Sequence, residues 1–210
     1  MAELTDLQRA ILEYDSEAAT KLAKKALEDG KEPVSIIDEE LRPAMDMVGK
    51  KFEAHEFFLP HLVMCADAMK AAVDVLLSEA SLEEIVLGTI VIGTVEGDVH
   101  DIGKSLVSAF LRSSGFEVHD IGVDNKTQAF IEKAKEVNAD IICASALMTA
   151  TMPYQEDLVS ILRDSGLRER FKVMIGGAPT NAAFAEKIGA DAWGENATEA
   201  VETARKLVSG

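Results

Sequence analysis

The sequence is poor in cysteine, in aromatic residues and in positive charge. Its 210 residues include 2 cysteines, 5% aromatic residues, and 21 lysines and arginines against 37 aspartates and glutamates, which gives a net charge of −16. This acidic balance argues against nucleic acids and anionic membranes as partners, because both need cationic side chains to neutralise their phosphates. It suits a protein whose partners are other proteins.

Neither a disulfide framework nor a membrane span is indicated. Cys65 and Cys143 stand in apolar stretches without CxxC spacing, as expected for buried, reduced thiols in the cytoplasm. The longest apolar run, residues 85–93, is far shorter than the ~20 residues that a membrane helix needs. Residues 1–15 are acidic and amphipathic, unlike a signal peptide, so we expect a cytoplasmic protein.

Residues 1–84 have the spacing of apolar residues that is typical of helices. We expect the second helix to start at a Ser16 cap and stop at Gly30, and Pro43 to kink or offset the third. Four helices with short connections predict an antiparallel four-helix bundle. The four helical segments are residues 4–15, 16–30, 33–57 and 58–80.

From residue 85 onwards, β-branched segments alternate with helical ones. Five such βα units predict a five-stranded parallel sheet with helices on both faces, that is, a flavodoxin-like or Rossmann-like domain over residues 85–210. The fold class is therefore α/β, with a helical domain over residues 1–84 in front. Ligands of such sheets bind beyond the carboxyl ends of the strands, where the 93–105 loop, the segment after Ala144 and Gly176-Gly177 fall.

The loop GTVEGDVHDIGKS, residues 93–105, places one histidine between two aspartates. Its Gly-Lys-Ser ending resembles a phosphate-binding loop, but that motif has four residues between its first glycine and Gly-Lys, whereas five separate Gly97 from Gly103. The acidic residues of the loop would also repel a phosphate. The dinucleotide pattern GxGxxG does not follow the first strand, which disfavours a Rossmann cofactor.

His100 could be a metal ligand, a catalytic base or an ordinary loop residue. A bare zinc ion needs three or four protein ligands, and only Asp98 and Asp101 flank His100. One imidazole suffices for a metal whose other positions are filled by a macrocycle, and Asp98 could then accept the second ring N–H. The alternative is a solvent-facing histidine beside helix-capping aspartates. The ligand edge of the sheet and the nearby glycines favour a large ligand.

Asp98-x-His100-x-x-Gly103 matches the D-x-H-x-x-G signature of cobalamin-binding domains. SALMT follows one strand later, IGGAP follows the next strand, and LRPAMDMVGKKFEAHEFFLPHLVMCADAM stands in front. With these motifs, nearly the whole chain resembles the corrinoid proteins of methylamine, methanol and methoxyarene methyltransferase systems. It is also similar to the cap and B12 domains of cobalamin-dependent methionine synthase.

This resemblance implies a cobalamin or related corrinoid (cobalt) cofactor, bound base-off with His100 as the lower metal ligand. Asp98 would hydrogen-bond His100, and Thr151, where methionine synthase has a serine, would complete this catalytic relay. The other implied cofactor-binding residues are Gly97, Val99, Asp101, Ile102 and Gly103 in the loop, Ser145, Leu147 and Thr149 in the slot for the nucleotide tail, and Gly176, Gly177 and Ala178 along that tail.

A methyl carrier is the function that the resemblance implies. Co(I) would accept a methyl group from a substrate-specific methyltransferase, and methyl-Co(III) would give it to an acceptor methyltransferase that serves a folate or a thiol. A reductive activator protein would be a further partner. The chain would then be a non-autonomous corrinoid subunit rather than an enzyme by itself.

The helical domain would act as a cap over the upper face of the cobalt, with Phe58 and Met64 towards the ring. Because a fixed cap would block methyl transfer, we expect a hinge near Ser81–Glu84.

Two other functions share part of this pattern. A B12-dependent sensor or regulator would carry a Trp and a Glu-His pair in the cap, and the cap segment here has neither. A corrinoid subunit of an adenosylcobalamin mutase would share D-x-H-x-x-G but not the methyltransferase-type cap.

Overall fold

The computed structural model describes residues 4–76 and 86–209, which divide into a helical unit and an α/β unit. This arrangement confirms the predicted fold class, in which helices precede a five-stranded parallel sheet along the chain. The predicted boundary after residue 84 and the expected hinge at Ser81–Glu84 lie outside the described residues. None of the helices in the described ranges is long and apolar enough to cross a membrane.

Each of the four segments predicted to be helical in the first unit contains a helix, although residues 13–15 and 54–58 lie outside the helices. A single π-helical turn at Ile37–Leu41 joins the third and fourth helices into one continuous run. The helices are α1 (Asp6–Leu12), α2 (Ser16–Glu28), α3 (Pro33–Ile36), α4 (Arg42–Glu53) and α5 (Leu59–Leu76).

The start of α2 differs from the expectation. Asp15, not Ser16, caps this helix, and its carboxylate accepts a hydrogen bond of 2.9 Å from the N–H of Ala18. A carboxylate at this position satisfies a free N–H and also complements the positive end of the helix dipole.

Pro43 offsets its helix through the π-helical turn. In that turn the N–H of Arg42 donates to the carbonyl of Ile37, so Pro43 falls in the first turn of α4. Pro43 has no N–H to donate within this continuous run, and a local π-helical turn is one of the features that offset a long helix.

Small buried side chains line the contact between α2 and α5, which is the main helix contact of the unit. They are Ala19 and Ala23 in α2 and Cys65, Ala68 and Ala72 in α5, all at 0% exposure. Such side chains let two helix backbones approach closely, which explains how a core with few aromatic residues still packs tightly.

The α/β unit contains a five-stranded sheet in the order β2-β1-β3-β4-β5, with every pair parallel. The strand order reverses between β1 and β3, so the crevice between these two strands is the expected ligand position. The strands are β1 (Thr89–Thr94), β2 (Glu117–Asp120), β3 (Ile141–Ser145), β4 (Lys172–Gly176) and β5 (Ala192–Gly194).

Both faces of the sheet are apolar, as parallel strands require. Val91, Ile142 and Val173 form one row across the sheet and belong to the main core cluster of the unit. Right-handed crossovers place α6 on the opposite face from α7, α8 and α9. The helices are α6 (Ile102–Ser113), α7 (Thr127–Glu136), α8 (Pro153–Asp164), α9 (Ala182–Ile188) and α10 (Ala197–Ser209).

Candidate cofactor site

The loop that carries His100 joins the carboxyl end of β1 to α6. The segment Ala146–Met152 follows β3, which pairs with β1, and it lies against the same loop through hydrogen bonds to Asp98. The topology therefore brings two stretches that are distant in sequence to the switch point of the sheet.

Asp98 and His100 are joined directly. The Nδ1 atom of His100 lies 2.9 Å from Oδ1 of Asp98, and the backbone N–H of His100 donates to the same oxygen at 3.0 Å. The Asp98 side chain is fully buried, whereas 44% of the His100 side chain is exposed. The aspartate thus holds the imidazole from behind and leaves its far side accessible.

The second carboxylate oxygen of Asp98 is held by the segment after β3. It accepts hydrogen bonds from the N–H of Leu147 at 2.7 Å and from the hydroxyl of Thr151 at 2.8 Å. The hydroxyl of Thr151 also lies 2.9 Å from the carbonyl of Met148, but a carboxylate is the stronger acceptor. Threonine therefore reaches the position at which the resemblance implies a hydroxyl.

Asp98 is an anion despite its burial. Burial by itself would raise the pKa of this carboxyl group. The N–H of His100, the hydroxyl of Thr151, the ring of His100 and the N–H of Leu147 outweigh that effect and lower the pKa of Asp98 to about 2.

This geometry fixes the tautomer of His100. Because Asp98 is ionised and can only accept, Nδ1 of His100 carries the proton and Nε2 keeps its lone pair. Such an imidazole, oriented by the carboxylate behind it, can act as a metal ligand. Within residues 4–76 and 86–209, no three His, Cys, Asp or Glu side chains converge as a site for a bare metal ion.

His100 lines a cavity of about 690 Å³. Its floor is the face of the sheet opposite the main core cluster, with Ile92, Cys143 and Met174 in one register row. Leu106 of α6 and Ala197 of α10 contribute to its walls. A volume of this size and an apolar lining suit a large organic ligand that reaches from His100 towards β5.

Most of the residues singled out in the sequence line this cavity. Asp98 and Thr151 are buried behind it, and Gly97 and Thr149 do not belong to the lining. The residues from the sequence-based set that do line the cavity are Val99, His100, Asp101, Ile102, Gly103, Ser145, Leu147, Gly176, Gly177 and Ala178.

Two glycines of the lining fit a bulky ligand for different reasons. A Cβ atom built on Gly103 would meet nothing within 4 Å, so the first turn of α6 leaves space open in front of it. A Cβ atom on Gly177 would lie 1.8 Å from the carbonyl oxygen of Ala146, because the loops after β3 and β4 approach closely there. The residues present are therefore compatible with a flat ring near His100 and a chain that extends along β3 and β4.

Phe58 and Met64 belong to the helical unit and not to the cavity lining. They are 60% and 40% exposed at the beginning of α5. Next to them, Nδ1 of His61 accepts a hydrogen bond of 2.9 Å from the N–H of Phe58, which gives His61 a capping role at the start of the helix.

The sequence reading missed two parts of the site. Lys104 lines the cavity and forms an ion pair with Asp120 at the end of β2, whereas the sequence analysis considered Lys104 only in rejecting a phosphate-binding loop. Residues Gly194–Ala197, from the last residue of β5 to the first residue of α10, also line the cavity. Their position at the carboxyl end of the fifth strand could have indicated this role.

Comparisons with known proteins agree on one family. A family model described as B12 binding domain matches residues 88–202, and a second model with the same description matches residues 3–77. Dimethylamine corrinoid protein 2 of Methanosarcina acetivorans is 52% identical over 209 residues, which cover 99% of this chain and 96% of the relative.

Two solved structures resemble the whole chain. A cobalamin-binding protein from Desulfitobacterium hafniense is 30% identical, with a TM-score of 0.78 and 99% of each chain covered. A chain of the methanol:cobalamin methyltransferase complex from Methanosarcina barkeri is 29% identical, with a TM-score of 0.82, covering 98% of this chain and 79% of that one. The likeness thus includes the helical part as well as the sheet.

Proposed function

The chain belongs to the B12-binding corrinoid proteins, and from this premise we propose that it carries a methyl group between methyltransferases. The observation that carries the proposal is the Asp98–His100 pair at the rim of the cavity. This pair supplies a single oriented nitrogen donor, which is what a cobalt ion would need where a macrocycle provides most of its other ligands. When bound, the corrinoid supplies a metal that can take up and release a methyl group.

The residues of this chain bind and orient the cofactor. Asp98 sets the ring orientation of His100, while Leu147 and Thr151 keep the carboxylate in place. His100, Asp98 and Thr151 then form the relay behind the metal, and Nε2 of His100 is the proposed ligand.

The cavity accommodates the rest of the cofactor. We assign the open space at Gly103 to the ring and the floor between β3 and β4 to the displaced nucleotide tail, with Ser145 and Gly176 beside it. The apolar floor would favour burial of the flat base at the end of this tail.

The methyl donor and the partners are proposed from the relatives. One relative is a dimethylamine corrinoid protein, so we propose a methylamine as the donor class and a methylamine-specific methyltransferase as the first partner. A similar chain occurs in a methyltransferase complex, which supports direct docking of such a partner. An acceptor methyltransferase and a reductive activator complete the system, in a cytoplasm that keeps the buried Cys65 and Cys143 reduced.

The test replaces His100 in the intact, corrinoid-loaded protein. In protein labelled with 15N-histidine, electron paramagnetic resonance of the Co(II) form should show splitting by one labelled nitrogen in the wild type and none in His100→Ala. His100→Ala should also retain the corrinoid at least about tenfold less well. His119→Gln is the matched control, because His119 lies on β2 in the same unit and is not part of the cavity lining.

A methyl-transfer assay completes the experiment. With dimethylamine and a dimethylamine methyltransferase, the wild type and His119→Gln should be methylated, and His100→Ala should be methylated much more slowly. A wild-type protein without nitrogen splitting would overturn the assignment of His100. Copurified adenosylcobalamin, with no methylation, would overturn the carrier function in favour of mutase chemistry.

A further inference from the structure

Asp124 lies in the loop after β2, and its hydrogen bonds reach the backbone on both sides of Asp98. Its Oδ1 atom accepts from the N–H of Gly97 at 2.6 Å. Its own N–H lies 2.9 Å from the carbonyl oxygen of Asp98 and 2.9 Å from the hydroxyl of Thr94. One exposed residue thus binds the segment immediately before Asp98 and the peptide group of Asp98 itself.

The buried side chain of Thr94 also holds the backbone of Asp98. Its side chain is fully buried at the end of β1, and its hydroxyl donates to the carbonyl oxygen of Asp98. The carbonyl oxygen of Thr94 in turn accepts from both the N–H and the side-chain amide of Asn125, each at 3.1 Å. Backbone and side-chain hydrogen bonds therefore hold residues 122–125 against residues 94–98.

The two residues that this hydrogen bond joins, Asp124 and Gly97, both have an unusual backbone conformation. Asp124 has φ +54° and Gly97 has φ +78°, both in the left-handed region. A Cβ atom on Gly97 would meet only Thr151, at 3.6 Å, so glycine is required there by conformation and not by space. Aspartate tolerates this region better than most residues, and the hydrogen bonds of Asp124 hold the turn in place.

Asp98 is consequently held from two directions. The segment after β3 fixes its carboxylate, whereas the loop after β2 fixes its backbone. The two together determine where Nδ1 of His100 meets Oδ1 of Asp98.

We propose that Asp124 is a positioning residue for the cofactor ligand: with Thr94 it holds the Gly97–Asp98 backbone so that Asp98 can orient His100. This inference rests on the proposed role of His100. The role belongs to the hydrogen bond and not to the charge, because the exposed carboxylate of Asp124 is well screened by solvent.

The variants are chosen to separate these effects. Asp124→Gly removes the carboxylate without adding strain, since glycine adopts φ +54° readily. Asp124→Asn keeps an acceptor oxygen and the tolerance of the left-handed conformation but removes the charge. Arg168→Ala is the control for a purely structural defect, because Arg168 bonds Gly189 and Asp191 in the segment before β5.

The first measurement uses the protein without cofactor. Native-state hydrogen exchange of the Gly97 amide should be at least about fivefold faster in Asp124→Gly than in the wild type, because its acceptor is gone. Asp124→Asn and Arg168→Ala should exchange this amide at the wild-type rate, relative to the global opening of each variant.

The second measurement uses the corrinoid-loaded protein. Asp124→Gly should release the corrinoid about tenfold faster and show weakened or heterogeneous nitrogen splitting in the Co(II) spectrum. Asp124→Asn should restore both properties, and Arg168→Ala should leave the splitting unchanged.

The outcomes distinguish this inference from the proposed function. If the wild type shows no nitrogen splitting, the role of His100 fails. If the wild type shows splitting and Asp124→Gly shows the same splitting and release rate, Asp124 is a loop residue without a positioning role. If Asp124→Asn behaves like Asp124→Gly, the charge and not the hydrogen bond is responsible, and the proposed mechanism is wrong.

Discussion

At the scale of single residues, the site depends on an anion that is cut off from solvent. Asp98 is fully buried, and burying an unpaired charge is costly. Donors on two loops compensate for the lost water and keep its pKa at about 2. The same donors that stabilise the carboxylate also fix its direction towards His100, so stability and function depend on one set of contacts.

Asp98→Asn should destabilise the cofactor-free protein in a pH-dependent way. An aspartate with pKa near 4 in the unfolded chain and about 2 in the folded one stabilises the fold above about pH 4. This contribution, about 2 kcal/mol, is lost as the pH falls from about 5 towards 2. Urea unfolding of both proteins should therefore show a gap in the free energy of unfolding that is wide near pH 7 and narrows in acid.

Thr151→Val provides the comparison for that experiment. It removes one donor to Asp98 while keeping the shape of the side chain, and it should cost about 1 kcal/mol at neutral pH. A gap between wild type and Asp98→Asn that stayed constant over the whole pH range would mean that ionisation of Asp98 does not stabilise this fold.

At the scale of elements, the sequence was most informative where the pattern is long. The five strands and their alternation with helices follow from β-branched runs and helical spacing, and the sheet confirms them. The π-helical turn before Pro43 could not be predicted, because several hydrogen-bonding patterns satisfy the same apolar spacing. The predicted Ser16 cap was wrong by one residue. Asp15 and Ser16 are both favourable capping residues, and in the structure the carboxylate of Asp15 accepts the hydrogen bond from the first turn.

The residues of the site also differ in whether a sequence motif or only the folded structure identifies them. Asp98, His100 and Gly103 stand in one short motif, so they could be singled out without any structure. Asp120 and Asp124 could not be singled out, because both lie at the carboxyl end of β2, far from the motif in sequence. Asp120 pairs with Lys104 of α6, and Asp124 accepts a hydrogen bond from Gly97 of the histidine loop. Contacts between loops depend on strand order, and no local pattern in the sequence encodes them.

Two glycines of the cavity should respond oppositely to the same substitution. Gly177→Ala should destabilise the protein by about 3 kcal/mol or more or prevent folding, because φ is +121° and the new methyl group would collide with the backbone of Ala146. Gly103→Ala should preserve or slightly raise stability, since alanine favours helix α6.

Corrinoid retention distinguishes a glycine that is needed for folding from one that is needed for cofactor binding. The methyl group of Gly103→Ala would project into open space at the cavity, so this variant should be stable when empty and weak in binding. Thermal unfolding of both variants and gel filtration of the loaded protein measure the two properties. Unchanged retention in Gly103→Ala would place the ring elsewhere in the cavity.

At the scale of the whole molecule, every residue that we propose to hold the corrinoid in the cavity lies in one of the two units. The loop of His100, the segment after β3, Asp124 and the cavity all lie between residues 92 and 200, within the α/β unit. Phe58 and Met64, which the resemblance places towards the ring, belong to the helical unit. We therefore predict a division of tasks in which the α/β unit by itself holds the cofactor.

A protein made of residues 87–210 tests this separation. It should fold, as judged by circular dichroism and a cooperative melt, since the sheet and its core cluster lie within this range. It should bind a corrinoid and keep the nitrogen splitting of the Co(II) form, because the Asp98–His100 pair and its supports are all present. The same protein with His100→Ala should lose the splitting. A folded 87–210 protein that binds no corrinoid would mean that residues of the helical unit, such as Phe58 and Met64, contribute essential contacts, and the division of tasks would be wrong.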